Sequence, residues 1–170
     1  MYKVKEYIIR KYETRDFTKI CNFICKFQKK AKLIGISDTE NMLSARNKRI
    51  QTENFLKEYE ASRFHKYVAV NTETNDIFLY CVFVKVGDSH QLKFTVKNPD
   101  CLLQKIIVRA FKEIINQFCA VNQVKELYSP LTKRENYDKY TNYMLKTFDT
   151  EQVESNETYI KIKYNIPLDI

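Results

Sequence analysis

Glycine is nearly missing from this sequence. Only Gly35 and Gly87 occur among the 170 residues, whereas average usage near 7% would give about twelve. Loops that hold nucleotides or coenzymes by their phosphates usually contain glycine, because a backbone without side chains turns sharply and approaches an anion closely. No stretch matches a Walker A loop or a Gly-x-Ser-x-Gly nucleophile elbow, so the sequence argues against the chemistry that those motifs perform.

Long apolar runs are also lacking. The runs that occur are short and interrupted by Lys, Arg, Glu or Asn, so we expect no transmembrane helix. The opening MYKVKEYIIRKYE has neither an apolar core nor a small-residue cleavage site, so no signal peptide is expected. Hydrophobic residues make up 44% of the chain, enough for one domain over residues 1–170 with a sizeable core. We therefore expect a single cytoplasmic domain.

Metal-binding patterns are absent from the spacing of cysteine and histidine. The five cysteines have no paired spacing and lie in apolar surroundings, where reduced thiols pack as small hydrophobes. His65 and His90 are 25 residues apart, without a cluster of ligands around either. Cys21 and Cys25 share an apolar helical stripe, which indicates core packing. The sequence predicts no metal site.

Positive charge is concentrated at the start of the chain. The formal net charge is +8, and residues 1–32 contain ten Lys or Arg against three acids. Such a segment would attract an acidic partner or nucleic acid, or it forms a solvated, lysine-rich helix face. Abundant Lys, Asn, Ile and Tyr are typical of AT-rich genomes, bacteriophage genomes among them, in which case the protein would lie in the host cytoplasm or the virion.

Hydrophobic periodicity predicts alternating strands and helices. Asn98 and Pro99 suit the start of the third helix as N-cap and first residue. In the strand over residues 91–97, alternation places Leu92, Phe94 and Val96 on one face. In chain order the prediction is strand 7–12; a helix that starts at Thr14 or Asp16; a helix from Ser37 with a further turn or two over 52–63; strands 66–71, 76–86 and 91–97; helix 98–117; strand 126–129, ended by Pro130; helix 133–146; and strands 148–153 and 158–164.

This order of elements resembles the GCN5-related N-acetyltransferase (GNAT) fold over nearly the whole chain. The opening YIIRKYETRDFTKI looks like that family's first strand and turn, in which an Arg-containing strand leads to an acidic helix start. Asn136, Tyr143 and Phe148 keep the spacing of the family's fourth-helix pattern, with Thr147 where Gly is usual. The resemblance implies an α+β fold: a mixed, mostly antiparallel sheet of about seven strands flanked by helices.

The resemblance also implies site residues. Tyr143 falls where the family places a tyrosine that protonates the leaving coenzyme A thiolate, a role that suits a phenol. Asn136 falls where an asparagine contacts the coenzyme, and Val96, Lys97 and Asn98 fall where the fourth strand runs into the pyrophosphate loop. Packing of a half-buried helix is the other interpretation of Tyr143, because tyrosines recur at 137 and 140.

The pyrophosphate loop is where the sequence departs from the family pattern Gln/Arg-x-x-Gly-x-Gly/Ala. Here the junction contains no glycine, Pro99 removes one backbone donor, and Asp100 places a carboxylate where phosphate would bind. We therefore expect a pseudoenzyme that binds no cofactor and acts as a binding or phage assembly protein, with a protein partner at a sheet edge. The alternatives are an acetyl-CoA-dependent N-acetyltransferase, in which Lys97 restores some positive charge, and a basic nucleic-acid-binding module.

Overall fold

A computed structural model describes residues 4–27, 45–97, 105–132 and 145–170. Seven strands in these ranges form one sheet of order β1-β2-β3-β4-β5-β7-β6, which confirms the predicted fold class. The strands are β1 Tyr7–Lys11, β2 Phe64–Asn71, β3 Ile77–Val86, β4 Ser89–Lys97, β5 Leu127–Thr132, β6 Thr150–Ser155 and β7 Tyr159–Tyr164; the helices are α1 Asp16–Phe27, α2 Ala45–Lys57 and α3 Lys105–Val121, and a 3-10 turn spans Glu58–Glu60.

Helices cover both faces of this sheet. The apolar stripe of α3 packs against one face, and ring stacking between Phe83 on β3 and Phe118 on α3, with centroids 4.1 Å apart, lies at the centre of that core. Ile20 and Ile24 of α1 and Leu56 of α2 pack against the other face of β2, β3 and β4. Each fully buried side chain of this size stabilises the fold by roughly 1.5–3 kcal/mol.

A buried ion pair fixes the start of α1 against β1. Asp16 is 1% exposed, and both of its carboxylate oxygens accept hydrogen bonds from the Arg10 guanidinium, at 2.7 and 2.8 Å. The carboxylate also accepts the Glu13 N–H at 2.8 Å. The acidic residue predicted to start the helix does so, and it holds the β1–α1 turn as well.

A β-bulge in β4 contradicts the predicted alternation of that strand. Val82 lies opposite Phe94 but Phe83 lies opposite Leu92, so Lys93 is an extra residue. Leu92 therefore packs in the α3-side core, whereas Phe94 and Val96 pack in the α1-side core. The prediction that the three share one face was wrong, because alternation of sequence does not reveal a residue without a partner.

Two predicted boundaries were also wrong. Pro130 does not end β5 but lies inside it, in register with Lys161 of β7. Proline is compatible with that position because β5 is unpaired on its β4 side beyond Tyr128. Thr52 starts no separate turn; it is buried in the middle of a continuous α2. The predicted helix starts at Ser37 and Asn98, and residues 133–144 of the fourth helix, lie outside the described residues.

Candidate functional site

The sheet opens between its two central strands. Among the described strands, β4 and β5 form the one parallel pair, and within the described residues they are paired only at His90 with Leu127 and Gln91 with Tyr128. Beyond these pairs β4 follows β3 to Lys97, while β5 follows β7 to Thr132. Toward their carboxyl ends the two strands share no further pairs, and we call this unpaired stretch the β4–β5 opening, with its closed end at Gln91 and its wide end at Lys97.

Unpaired backbone is the chemical feature of this opening. Along residues 92–97 of β4, alternate residues direct their N–H and C=O groups away from β3, and no described strand pairs with them there. Such groups need partners, and an extended ligand that carries amides can supply them as an added strand does. The bulge at Lys93 lies on this same stretch, next to the point of divergence.

Val96 and Lys97, two of the predicted cofactor-binding residues, lie at the wide end of the opening. Val96 is buried in the α1-side core, whereas Lys97 is half-buried. Burial lowers the pKa of the Lys97 ammonium, and no carboxylate in the described ranges forms an ion pair with it. A bound anion would compensate this charge.

Among the described residues, none next to Lys97 supplies a second reactive group. On the neighbouring strand β3, burial raises the pKa of the Cys81 thiol to about 12, and the Thr95 hydroxyl lies 3.7 Å from its sulfur. A thiol of that pKa is almost entirely protonated at neutral pH, so Cys81 is a poor nucleophile. The chemistry available here is positive charge and backbone hydrogen bonding.

Glu126 and Asp76 are acidic residues to consider as a general base. Glu126 lies beside the closed end, where it accepts a hydrogen bond from Tyr128 at 3.2 Å and pairs with Lys163 at 3.8 Å. Asp76 belongs to the β2–β3 connection, where its backbone carbonyl accepts the Asn71 N–H. No base is assigned.

An aromatic cluster surrounds Phe94 on the α1 side of β4. The Phe94 ring is packed by Tyr59 at 4.7 Å, Phe55 at 5.2 Å and Tyr80 at 5.6 Å. Burial raises the pKa of Tyr80, and burial together with a hydrogen bond to Glu60 raises that of Tyr12. These phenols stay neutral at physiological pH, and their contacts indicate a structural role.

Asn98, Asn136 and Tyr143 lie outside the described residues, as does the glycine-free junction after β4. Their roles stay predictions. Sequence reasoning missed the opening itself and the bulge; Pro130 in an otherwise extended run was the one signal that this edge of β5 has no partner.

In the described ranges no helix is long and apolar enough to cross a bilayer, and no three His, Cys, Asp or Glu side chains gather as metal ligands would.

Solved structures share this architecture. The ribosomal-protein-S5-alanine acetyltransferase of Vibrio fischeri superposes with a TM-score of 0.65 at 10% identity, over 99% of this chain and 98% of its own. The fold is that of the GNAT acetyltransferases. The Escherichia coli ribosomal-protein-S18-alanine N-acetyltransferase superposes with a TM-score of 0.63 at 13% identity, over 94% of this chain and 93% of its own. A GNAT-family acetyltransferase of Bacillus anthracis superposes with a TM-score of 0.61 at 15% identity, over 95% of each chain.

The sequence itself matches no protein-family model and no curated protein. At these identities the likeness establishes the GNAT fold alone, since one fold hosts many functions.

Proposed function

We propose that this protein binds an acyl-CoA thioester in the β4–β5 opening and transfers the acyl group to an amine. The observation that carries the proposal is the unpaired β4 backbone over residues 92–97 in a GNAT fold. The pantetheine arm of coenzyme A is extended and contains two amides, so it can pair with that edge as a strand would. Several structures of the same fold are named as acetyltransferases.

In the proposed reaction, the acceptor amine attacks the thioester carbonyl directly. Outward-facing N–H groups of β4 polarise the carbonyl and hold the negative charge that develops on its oxygen. The C–N bond forms, the amine nitrogen loses a proton to solvent water, the C–S bond breaks, and Tyr143 protonates the departing sulfur. Lys97 offers a cation to the phosphates, and Asn136 contacts the coenzyme; the roles of Asn136 and Tyr143 come from the family resemblance.

A second function is favoured by the junction after β4. Residues 98–104 contain no glycine, and they include Pro99 and Asp100. Fewer backbone donors and one more carboxylate weaken a diphosphate site. In this alternative the protein has lost acetyl transfer, keeps the GNAT fold as a scaffold, and acts as a binding or assembly protein of phage origin.

Calorimetry with two ligands separates these functions. Acetyl-CoA and acetyl-pantetheine share the thioester arm, but only acetyl-CoA carries the diphosphate. If the phosphate site works, acetyl-CoA binds at least about tenfold more tightly, which is 1.4 kcal/mol. Equal affinities mean that the arm is held without a phosphate site, and no binding of either ligand refutes the proposed transferase.

Lys97→Gln tests the cation at the wide end. This substitution should weaken the binding of acetyl-CoA and leave the binding of acetyl-pantetheine unchanged, because only acetyl-CoA carries phosphates. Lys85→Gln is the matched control: the same change on the neighbouring strand β3, at an exposed residue outside the opening. An equal effect of both substitutions would show that general charge, and not a site at Lys97, attracts the ligand.

A further inference from the structure

Basic side chains cross the sheet near the C-terminal end of α3, one from each of the first four strands. We call them the basic row: Lys11, His65, Lys85 and His90. Lys11 is paired with Tyr67, two residues from His65. His65 is paired with Phe83, two residues before Lys85, and Lys85 lies directly opposite His90. Direct and diagonal neighbours of this kind lie within about 8 Å of each other on one face of a sheet.

All four side chains share the α3 face. The ring centroids of His65 and His90 lie 5.4 and 5.8 Å from that of Phe118 on α3. Lys11 is directly opposite a residue of the α3-side core, and Lys85 follows another such residue by two positions on β3, so both lysines extend on the same side. The imidazoles are half-buried and the lysines are exposed.

No ion pair offsets the charge of the row within the described ranges. The described salt bridges include neither Lys11 nor Lys85. Glu13, which follows β1, is paired with Arg15. Asp88 lies in the exposed β3–β4 turn and forms no ion pair with a described residue. The row therefore presents positive charge that a ligand can neutralise.

The two histidines experience this excess of positive charge. Burial is the largest cause that lowers the pKa of each imidazole. Lys11 and Lys66 lower the pKa of His65 further, and Lys85 and His65 lower that of His90. Lys66 itself lies on the other face, where a backbone carbonyl accepts a hydrogen bond from its ammonium. A bound anion would oppose these effects and favour the protonated imidazoles.

We propose that the basic row binds the phosphate backbone of a nucleic-acid strand. Charges spread over four strands fit a polymer with a repeating negative charge, and the formal net charge of +8 favours its approach. The aromatic rings beside the row, those of Tyr67, Phe83 and Phe118, are buried. Bases therefore have no ring to stack on, and the contact is to phosphates and independent of base sequence.

This binding is independent of acyl transfer. His90 and Lys97 are seven residues apart on β4, so the row lies about 20 Å from the wide end of the opening. Lys85→Gln, the control for acetyl-CoA, should weaken the binding of nucleic acid and leave that of acetyl-CoA unchanged. Lys97→Gln should do the reverse.

Fluorescence anisotropy with a labelled oligothymidine tests the proposal on the full chain. In Lys11→Gln/Lys85→Gln, the slope of log affinity against log salt should become shallower by about 1.4, because each phosphate contact on a single strand contributes about 0.7. The matched control is Lys19→Gln/Lys57→Gln, which removes the same charge from exposed lysines of α1 and α2 on the other side of the sheet. Its slope should equal that of the wild type.

The histidines give the binding a pH dependence of definite sign. Protonation adds two cations to the row, so wild-type affinity should rise as the pH falls through about 6.5, and His65→Gln/His90→Gln should lose most of that rise. Circular dichroism at each pH shows whether the variants are folded. Absence of binding, or an equal loss in the control variant, overturns the proposal. Poly-glutamate that competes as well as the oligonucleotide overturns it in favour of an acidic protein partner.

Discussion

Removal of the Asp16 carboxylate should destabilise the protein far more than its place at a helix start suggests. Asp16 is 1% exposed and makes two hydrogen bonds to Arg10 and one to the Glu13 N–H. Loss of one partner of a buried ion pair costs about 3–5 kcal/mol, because the other charge is left uncompensated. The Arg10 side chain is 24% exposed, so water relieves part of that cost and we expect about 2–3 kcal/mol for Asp16→Asn.

Urea unfolding followed by circular dichroism measures this free energy. The midpoint should fall while the slope stays unchanged, since the substitution alters stability and not the surface that unfolding exposes. Arg109→Gln is the control, because it breaks the Arg109–Glu113 pair one helical turn apart on α3, where the Arg109 side chain is 64% exposed, and should cost no more than about 0.5 kcal/mol. The reasoning fails if Asp16→Asn costs as little as the control.

The pH dependence of the same pair has a definite sign. Burial alone would raise the pKa of Asp16, but the hydrogen bonds from Arg10 and from the Glu13 N–H outweigh it, and the pKa lies below its ordinary value of 3.8. The unfolded chain then binds the proton more readily than the native one. The contribution of Asp16 is complete above the ordinary pKa and is lost as the pH falls through the native pKa. In Asp16→Asn that loss should be missing from the acid unfolding curve.

Two further predictions concern the α3 side of the sheet. Phe118→Ala removes the ring stacked on Phe83 and should cost about 3–5 kcal/mol in urea unfolding, whereas Val121→Ala, at an exposed residue of the same helix, should stay within about 0.5 kcal/mol; similar values for both would refute the assigned packing. Burial, together with nearby lysines, lowers the pKa of His65 and of His90 below 6.5, so the unfolded state binds more protons and stability should fall as the pH drops below about 6.5. The double variant with Gln at both positions should show a smaller fall of the melting temperature over that pH range. An unchanged fall would refute the role assigned to the two histidines.

Much of the fold could be predicted because the relevant signals are local. The apolar stripe of α3 repeats every three to four residues and the strands alternate, so element types and order follow from neighbouring residues. Arg10 and Asp16 are six residues apart, and their pairing follows from a strand that turns directly into a helix. Boundaries were less predictable: Pro130 is typical of a strand end, although β5 continues past it.

The candidate site depended on contacts that no local pattern encodes. The sequence determined that Val96 and Lys97 end the fourth strand and that no glycine follows them. Only the tertiary structure decided that β4 is no longer paired with β5 after Gln91, and that the bulge at Lys93 places Leu92 and Phe94 in opposite cores. The physical reason is that strand pairing satisfies backbone groups between segments far apart in the chain, so the place where a partner is missing is set by the whole sheet.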